Sequence, residues 1–308
     1  MFQICVTGGK GGTGKSFIAA NLAYGLARLI GSKLKIILAD LDVEAPNDHY
    51  ILGEGRLASK EDIEIYFPKI DYSKCTGCGA CAKVCDTGAI VIAPGKPPFV
   101  FPRLCSGCKA CYYACPYKAI SPNSKRVVGY IEMRDLAFDG SSIWLVTGIL
   151  REGEEHTPPA VVATKRRAVS LSPDVLIVDT GAGTGNAISA AIQGSNLVIA
   201  VTEPTPLGLH DLEAILKIVR GMGYRLWVVI NRYGIGPAEK HRELAKKYGA
   251  ERIYEVPFSR KAVESYVNGV PLLRYAPDDP AARVIDSLVK DVVEEINSIL
   301  EVRGYAGS

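Results

Sequence analysis

Gly9-Lys10-Gly11-Gly12-Thr13-Gly14-Lys15-Ser16 stands between a short apolar run, FQICVT at residues 2–7, and a stretch where Phe17, Ala20, Leu22, Ala23, Leu26 and Ile30 recur close to helical spacing. A strand, a glycine loop and a helix in that order are the setting in which the pattern G-x4-G-K-S holds phosphate. The glycines let backbone N–H groups close around phosphate oxygens, and the helix N-terminus adds the positive end of its dipole. In this reading Lys15 reaches the β and γ phosphates and Ser16 ligates magnesium. Gly9, Lys10, Gly11, Gly12, Thr13 and Gly14 complete the cradle.

Outward from the loop, apolar runs near 2–7, 34–39, 174–179, 196–202, 225–231 and 252–256 read as strands. Helical spacing is found near 15–30, 208–221, 237–248, 259–268 and 280–302. Strands alternating with helices predict an α/β fold with a mostly parallel sheet covered on both faces. A chain of 308 residues has room for one such domain and a small inserted one. A hydrophobic fraction of 48% with 22% charged residues excludes a disordered chain. The net charge of +3, without a long basic run, leaves no footprint for nucleic acid. No apolar run approaches the ~20 residues that span a bilayer. FQICVTGG lacks the charged region and cleavage site of a signal peptide. The expectation is a cytoplasmic protein with neither a membrane nor a nucleic-acid partner.

The alternation breaks between residues 61 and 126. Eight of the nine cysteines fall here, in two runs offset by 30 residues: CTGCGACAKVC at 75–85 and CSGCKACYYAC at 105–115. APGKPP at 93–98 and SPNSK at 121–125 read as turns. Clustered cysteines in a reducing compartment point to metal rather than disulfides. Both runs are C-x2-C-x2-C-x3-C, the ligand pattern of bacterial ferredoxins with two 4Fe-4S clusters, in which the fourth cysteine serves the other cluster. Cluster one then takes Cys75, Cys78, Cys81 and Cys115, and cluster two takes Cys85, Cys105, Cys108 and Cys111. Cys115 precedes Pro116 as the pattern prefers, whereas Cys85 precedes Asp86. Zinc is the competing metal, but it favours two separated C-x2-C pairs, and three cysteines in one short turn suit a cube better. Cys5, alone in the first strand, reads as a small buried hydrophobe. The domain expectation is therefore 1–60 and 127–308 for a discontinuous nucleotide-binding domain, with 61–126 as an inserted ferredoxin-like α+β module.

With its second lysine, KGGTGKS at 10–16 resembles the deviant Walker A motif of the MinD/ParA family, which includes the nitrogenase iron protein and the Mrp-type cluster carriers. Ala39-Asp40-Leu41-Asp42-Val43-Glu44-Ala45-Pro46-Asn47 looks like the family's first switch. Val178-Asp179-Thr180-Gly181-Ala182-Gly183 is similar to its Walker B and second switch. The resemblance implies an ATPase that binds ATP or ADP with Mg2+. It implies that Asp42 positions the attacking water, that Asp179 joins Ser16 at magnesium, and that Asn231 reads adenine with Pro257 and Phe258 on the other side of that pocket. It also implies that Lys10 crosses the interface of an ATP-dependent homodimer. A carboxylate that ends a strand often only meets solvent or caps a helix. The carboxyl ends of parallel strands, however, are where α/β proteins bind ligands, which favours the catalytic reading of Asp42 and Asp179. Asp40 is read as structural.

The whole resembles family members with an inserted ferredoxin domain, and the leading expectation is an ATPase whose dimer rearrangement gates electron transfer through the clusters. Passing clusters to client proteins is the alternative, although Mrp-type carriers use a C-x2-C near their C-terminus and DSLVKDVVEEINSILEVRGYAGS contains none. A structural brace for a module too small to build a core remains open. A lipid-bound positioning protein fits poorly, because the C-terminal charges lean acidic through Asp291, Glu294, Glu295 and Glu301. The partner is a redox or cluster-accepting protein of unknown identity.

Overall fold

The computed structural model describes residues 1–93, 96–138 and 140–305. Pro94 and Gly95 of the predicted turn, residues 306–308 and the side chain of Glu301 lie outside the described residues.

The strands are β1 (Phe2–Thr7), β2 (Ile36–Leu41), β3 (Arg56–Tyr66), β4 (Ile90–Val91), β5 (Phe99–Val100), β6 (Lys125–Phe138), β7 (Ser141–Leu150), β8 (Val175–Thr180), β9 (Leu197–Thr202), β10 (Leu226–Tyr233) and β11 (Arg252–Pro257). The helices are α1 (Lys15–Ile30), α2 (Asp48–Leu52), α3 (Ala80–Lys83), α4 (Ala110–Ala114), α5 (Thr157–Ser170), α6 (Asn186–Ile192), α7 (Pro206–Gly221), α8 (Glu239–Lys247), α9 (Arg260–Val267), α10 (Leu272–Tyr275) and α11 (Pro280–Tyr305).

Nine strands form one sheet in the order β11-β10-β9-β1-β8-β2-β7-β6-β3. From β11 to β7 neighbours run parallel, while β6 pairs antiparallel with both β7 and β3. The α/β class and the mostly parallel sheet agree with the sequence, and the six predicted strands are its parallel core apart from β7. Alternate residues of each strand enter two cores. Ile4, Val6, Leu38 and Ile177 pack with α1, α10 and α11 on one face. Cys5, Ile37, Ala39 and Val178 pack with α5, α6, α7 and α8 on the other. On the first face α11 is also held by ion pairs, Asp291 to Arg252 at 3.0 Å and Glu295 to Arg225 at 2.7 Å.

The antiparallel extension was not foreseen. β3 carries RLASKEDIEIY on the sheet edge with most side chains exposed, so it shows no apolar run to read. It passes unbroken through residues 60 and 61, as β6 does through 126 and 127, and these two strands carry the cysteine segment. Between them a third, small core gathers Tyr66, Cys81, Ile90, Cys111 and Ile120. The sequence repeat is also a backbone repeat. Left-handed residues at Gly77, Gly79 and Gly88 recur 30 residues on at Gly107, Lys109 and Lys118. The chain therefore makes the same turns twice, the second time with lysine at two positions that favour glycine.

Candidate functional site

β1 delivers the glycine loop to the centre of the sheet, at the carboxyl ends of its parallel strands. Two glycines there have no substitute. Gly14 adopts φ 94°, and a Cβ on it would stand 2.2 Å from Asn231 Nδ2. At Gly9 a Cβ would come within 2.5 Å of the Asp211 carbonyl. Gly11 and Gly12 face open space. Lys15, 5% exposed, donates from Nζ to the Lys10 carbonyl at 3.0 Å, which folds the loop over its own side chain. Asn231 donates to the Thr13 carbonyl at 2.8 Å, so one of its two amide N–H groups holds the loop.

From the loop a cavity of about 430 Å³ extends between α1, the end of β11 and α9. Gly11, Gly12, Gly14, Lys15 and Ser16 line one end, together with Asp42. Pro257, Phe258 and Tyr266 line the other, and Asn231 lines the wall beside Gly14. Phe258 is half exposed, and its N–H donates to the Tyr233 carbonyl at 3.0 Å. The length and make-up of this hollow suit a nucleotide, with polar N–H groups and Lys15 for phosphates and an aromatic, apolar end for a base.

Asp42 lines the phosphate end, and Asp179 is buried behind it near Ser16 and Lys15. Asp42 is partly buried, and a Cβ on Gly181 would be 3.2 Å from its Oδ1. Burial pushes its carboxyl up and the Lys15 charge draws it back. Asp179 is fully buried with no hydrogen-bond partner on either oxygen. Burial and the charge of Asp40 hold its carboxyl well above the usual range. The Ser16 hydroxyl approaches closely enough to favour its charged form without closing a hydrogen bond. A bound cation is what such an orphaned carboxylate accommodates, and Ser16 and Asp179 supply the oxygen donors that magnesium takes.

In this chain the Lys10 Nζ pairs with Glu203 Oε1 at 2.6 Å, and Arg232 takes Oε2 at 2.8 Å. Glu203 and Arg232 were missed, as was Asp48. Glu203 directly follows β9, so the strand-end logic that singled out Asp42 would have found it. Asp48 follows Asn47 and opens α2, a helix of five residues too short to show periodicity. Asp40, set aside as structural, is fully buried. It accepts the N–H groups of Asp42 at 3.1 Å, Asn47 at 3.0 Å and Asp48 at 3.2 Å, which shapes the loop after β2.

The cysteines form two separate quartets. One hollow is lined by Cys75, Cys78, Cys81 and Cys115, another by Cys85, Cys105, Cys108 and Cys111. All nine cysteines are free. Burial raises the thiols of Cys81 and Cys105 and pushes that of Cys111 up to about 11, with neighbouring sulfurs adding to the rise. Four sulfurs crowded in this way become thiolates when a cationic group sits among them, so each donor set fits an iron–sulfur cube. Ala119 N–H donates to Cys115 Sγ at 3.4 Å. Cys5 lies in the second core, where burial drives its thiol up to about 12, a value that makes it inert at neutral pH.

The second quartet is tied to the large domain. Arg126 donates to the Cys105 carbonyl at 3.5 Å and pairs with Glu154. His156 Nε2 meets the Leu104 carbonyl at 2.8 Å. Glu154 and His156 belong to the loop after β7, and Leu150 at the end of β7 donates to the carbonyl of Val43, next to Asp42, at 2.8 Å.

Among the described residues no helix is long and apolar enough to cross a membrane. Residues 4–272 match the CobQ/CobB/MinD/ParA nucleotide binding domain. An uncharacterized protein of Methanocaldococcus jannaschii is 34% identical, over 89% of this chain and 93% of its own. An iron–sulfur cluster carrier protein of Pyrococcus horikoshii is 26% identical, over 99% of this chain and 89% of its own. The solved structure of the septum site-determining protein MinD from P. horikoshii, complexed with Mg-ADP, superposes with a TM-score of 0.58 at 16% identity. The match covers 94% of this chain and 95% of that one, and it supports the fold.

Proposed function

The chain belongs to the CobQ/CobB/MinD/ParA nucleotide-binding family, and from that premise we propose an ATPase that gates electron transfer through two 4Fe-4S clusters. The observation that carries this reading is the hydrogen-bonded connection from Val43, beside Asp42, through the loop after β7 to the backbone at Cys105. It joins the γ-phosphate end of the cavity to a cysteine quartet. In this reading residues 1–60 and 127–308 form the ATPase domain and 61–126 the ferredoxin-like module. The clusters, when bound, supply one-electron transfer; the eight cysteines hold them.

Hydrolysis transfers the γ-phosphoryl group of ATP to water, forming one P–O bond and breaking that to ADP. Lys15 and the loop N–H groups hold the triphosphate and draw off its charge, while Asp42 orients the attacking water. Ser16 and Asp179 would hold magnesium, which when bound would neutralise charge on the phosphates. Asn231, Pro257 and Phe258 seat the base. Two protomers face each other across the nucleotide, and Lys10 serves the partner's phosphates once it leaves Glu203.

A second reading, a carrier that hands whole clusters to client proteins, is favoured by the name of the Pyrococcus relative. Against it, the cysteine beyond the module is the buried Cys5, so no pair is left to bridge two protomers. Anaerobically purified protein should contain about eight iron and eight sulfide per chain. Its reduced form should be oxidised by protein acceptors faster with ATP than without, its iron remaining bound. Stoichiometric zinc would overturn the cluster assignment, and ATP-dependent loss of iron to an apo-protein would establish the carrier instead.

A further inference from the structure

The least satisfied part of the molecule is a polar row across the middle of the sheet. Asp179 on β8 is in register with Asp40 on β2, and Asp40 with Thr147 on β7. Registered neighbours in a parallel sheet leave the same face, here the face that α1 covers. Asp48, at the start of α2, reaches the same place. One carboxylate oxygen from each of Asp40, Asp48 and Asp179 lies within 4.8 Å of the others.

All three aspartates are fully buried, and Thr147 is nearly so. Both oxygens of Asp48, both of Asp179 and the Thr147 hydroxyl lack a hydrogen-bond partner. Among the described residues no lysine or arginine forms an ion pair with any of the three carboxylates, and the Lys15 ammonium donates to the Lys10 carbonyl. Three carboxylates this close in a dry interior repel one another strongly; three backbone N–H groups on Asp40, and Ser16 and the Lys15 charge near Asp179, offset only part of that, and Asp48 has none of these partners. Asp48 stands out, since an unpaired buried acid at the start of a five-residue helix serves no packing purpose.

We propose that Asp40, Asp48 and Asp179 directly ligate a hard divalent cation in the nucleotide-free protein. An all-oxygen donor set selects magnesium, manganese or calcium over zinc or copper. This ion shares Asp179 with the magnesium that would travel with the triphosphate, but it relies on Asp40 and Asp48 where that magnesium would rely on phosphate oxygens and Ser16. It also pins the segment after Asp42 to β2 and β8 before nucleotide arrives. The inference is independent of what the cysteines hold.

The test is a Mn2+ titration of oxidised holoprotein without nucleotide, following free Mn2+ by EPR; oxidised 4Fe-4S cubes are silent in that measurement. One equivalent should bind saturably and be displaced by Mg2+. Asp48→Asn keeps the shape and removes the charge, and should bind Mn2+ at least tenfold more weakly. Its retained Mg-ADP binding shows that the variant is folded and leaves the triphosphate's own magnesium intact. Absence of saturable binding to the unaltered protein overturns the proposal, whether or not the variant folds. So does an Asp48→Asn variant that binds Mn2+ as tightly as the parent. The three carboxylates would then be neutralised by protons.

Discussion

Lys10 shows how much a single side chain leaves open until its neighbours are known. As a second lysine in a glycine loop it resembles a group that acts on a partner's phosphates, yet here Glu203 holds it at 2.6 Å. Burial alone would raise the Glu203 carboxyl, but the hydrogen bond and charge of Lys10, with the charge of Arg232, outweigh it and hold the group below the usual range. A depressed carboxylate contributes stability above its unfolded pKa and loses it as pH falls through the folded value, so the clamp is closed at neutral pH. Should Lys10 leave, Arg232 keeps Glu203 paired at 2.8 Å, which softens the cost of release. Lys10→Ala should bind nucleotide nearly as well as the parent through Lys15 and the loop amides. Its hydrolysis should fall about 10³-fold or more, the magnitude of a charge supplied in trans to phosphoryl transfer. Steady-state turnover measured beside Lys15→Ala decides the matter. Near-normal rates would mean that Lys10 serves Glu203 alone.

At the scale of elements, burial and length explain part of what was legible, although the largely buried β7 and the fourteen-residue α5 were missed. β1, the glycine loop and α1 were readable because an all-buried strand meets the glycine loop and then a long helix buried over most of its surface, rich in Ala and Leu. The cysteine quartets were readable because ligand chemistry fixes spacing. β3 was not, since an edge strand with exposed side chains has no apolar signature, and α2 was not, since five residues cannot show a period. β6, β7, α5 and α6 were also missed, and some of the missed elements connect the parts: α2 brings Asp48 to the polar row, and β3 with β6 carries the module. Arg126 on β6 tests that connection. Its side chain and that of Glu154 are 14% and 12% exposed, so removing the arginine strands a mostly buried carboxylate, at a cost on the order of 3 kcal/mol. The lost contact is also the one to the Cys105 carbonyl. Arg126→Ala should release iron from the second quartet to a chelator severalfold faster, with nucleotide affinity unchanged. Equal release rates from parent and variant would show that the pair does not steady the quartet.

On the scale of the whole molecule, the question is whether phosphate chemistry and cluster chemistry share more than a chain. The sequence suggested one route, along residues 42–60 into the module. The fold adds a shorter one, in which Val43 accepts from Leu150 at 2.8 Å, Arg151 donates to Val128 at 2.9 Å, and Glu154 holds Arg126 against Cys105. Adjacency of this kind is not coupling until both ends are seen to bias one element. Asp42→Asn supplies the test, because it keeps the shape of the side chain, removes its charge and leaves Lys15, Ser16 and Asp179 in place. ATP with magnesium should bind, hydrolysis should fall steeply, and the protein should be held in its ATP-bound dimer. If that state pulls on the loop after β7, the EPR signal or potential of the cluster on Cys85, Cys105, Cys108 and Cys111 should shift on addition of ATP and stay shifted. That of the other cluster should move less, because among the described residues its quartet makes no comparable contact with the loop after β7. The required shift is small, since a tenfold change in a one-electron equilibrium is only about 59 mV. Saturation of Asp42→Asn with ATP, both cluster signals matching those of the nucleotide-free protein, would mean that the hydrogen-bonded route carries no free energy. The module would then be an electron store or a brace attached to an ATPase by two strands.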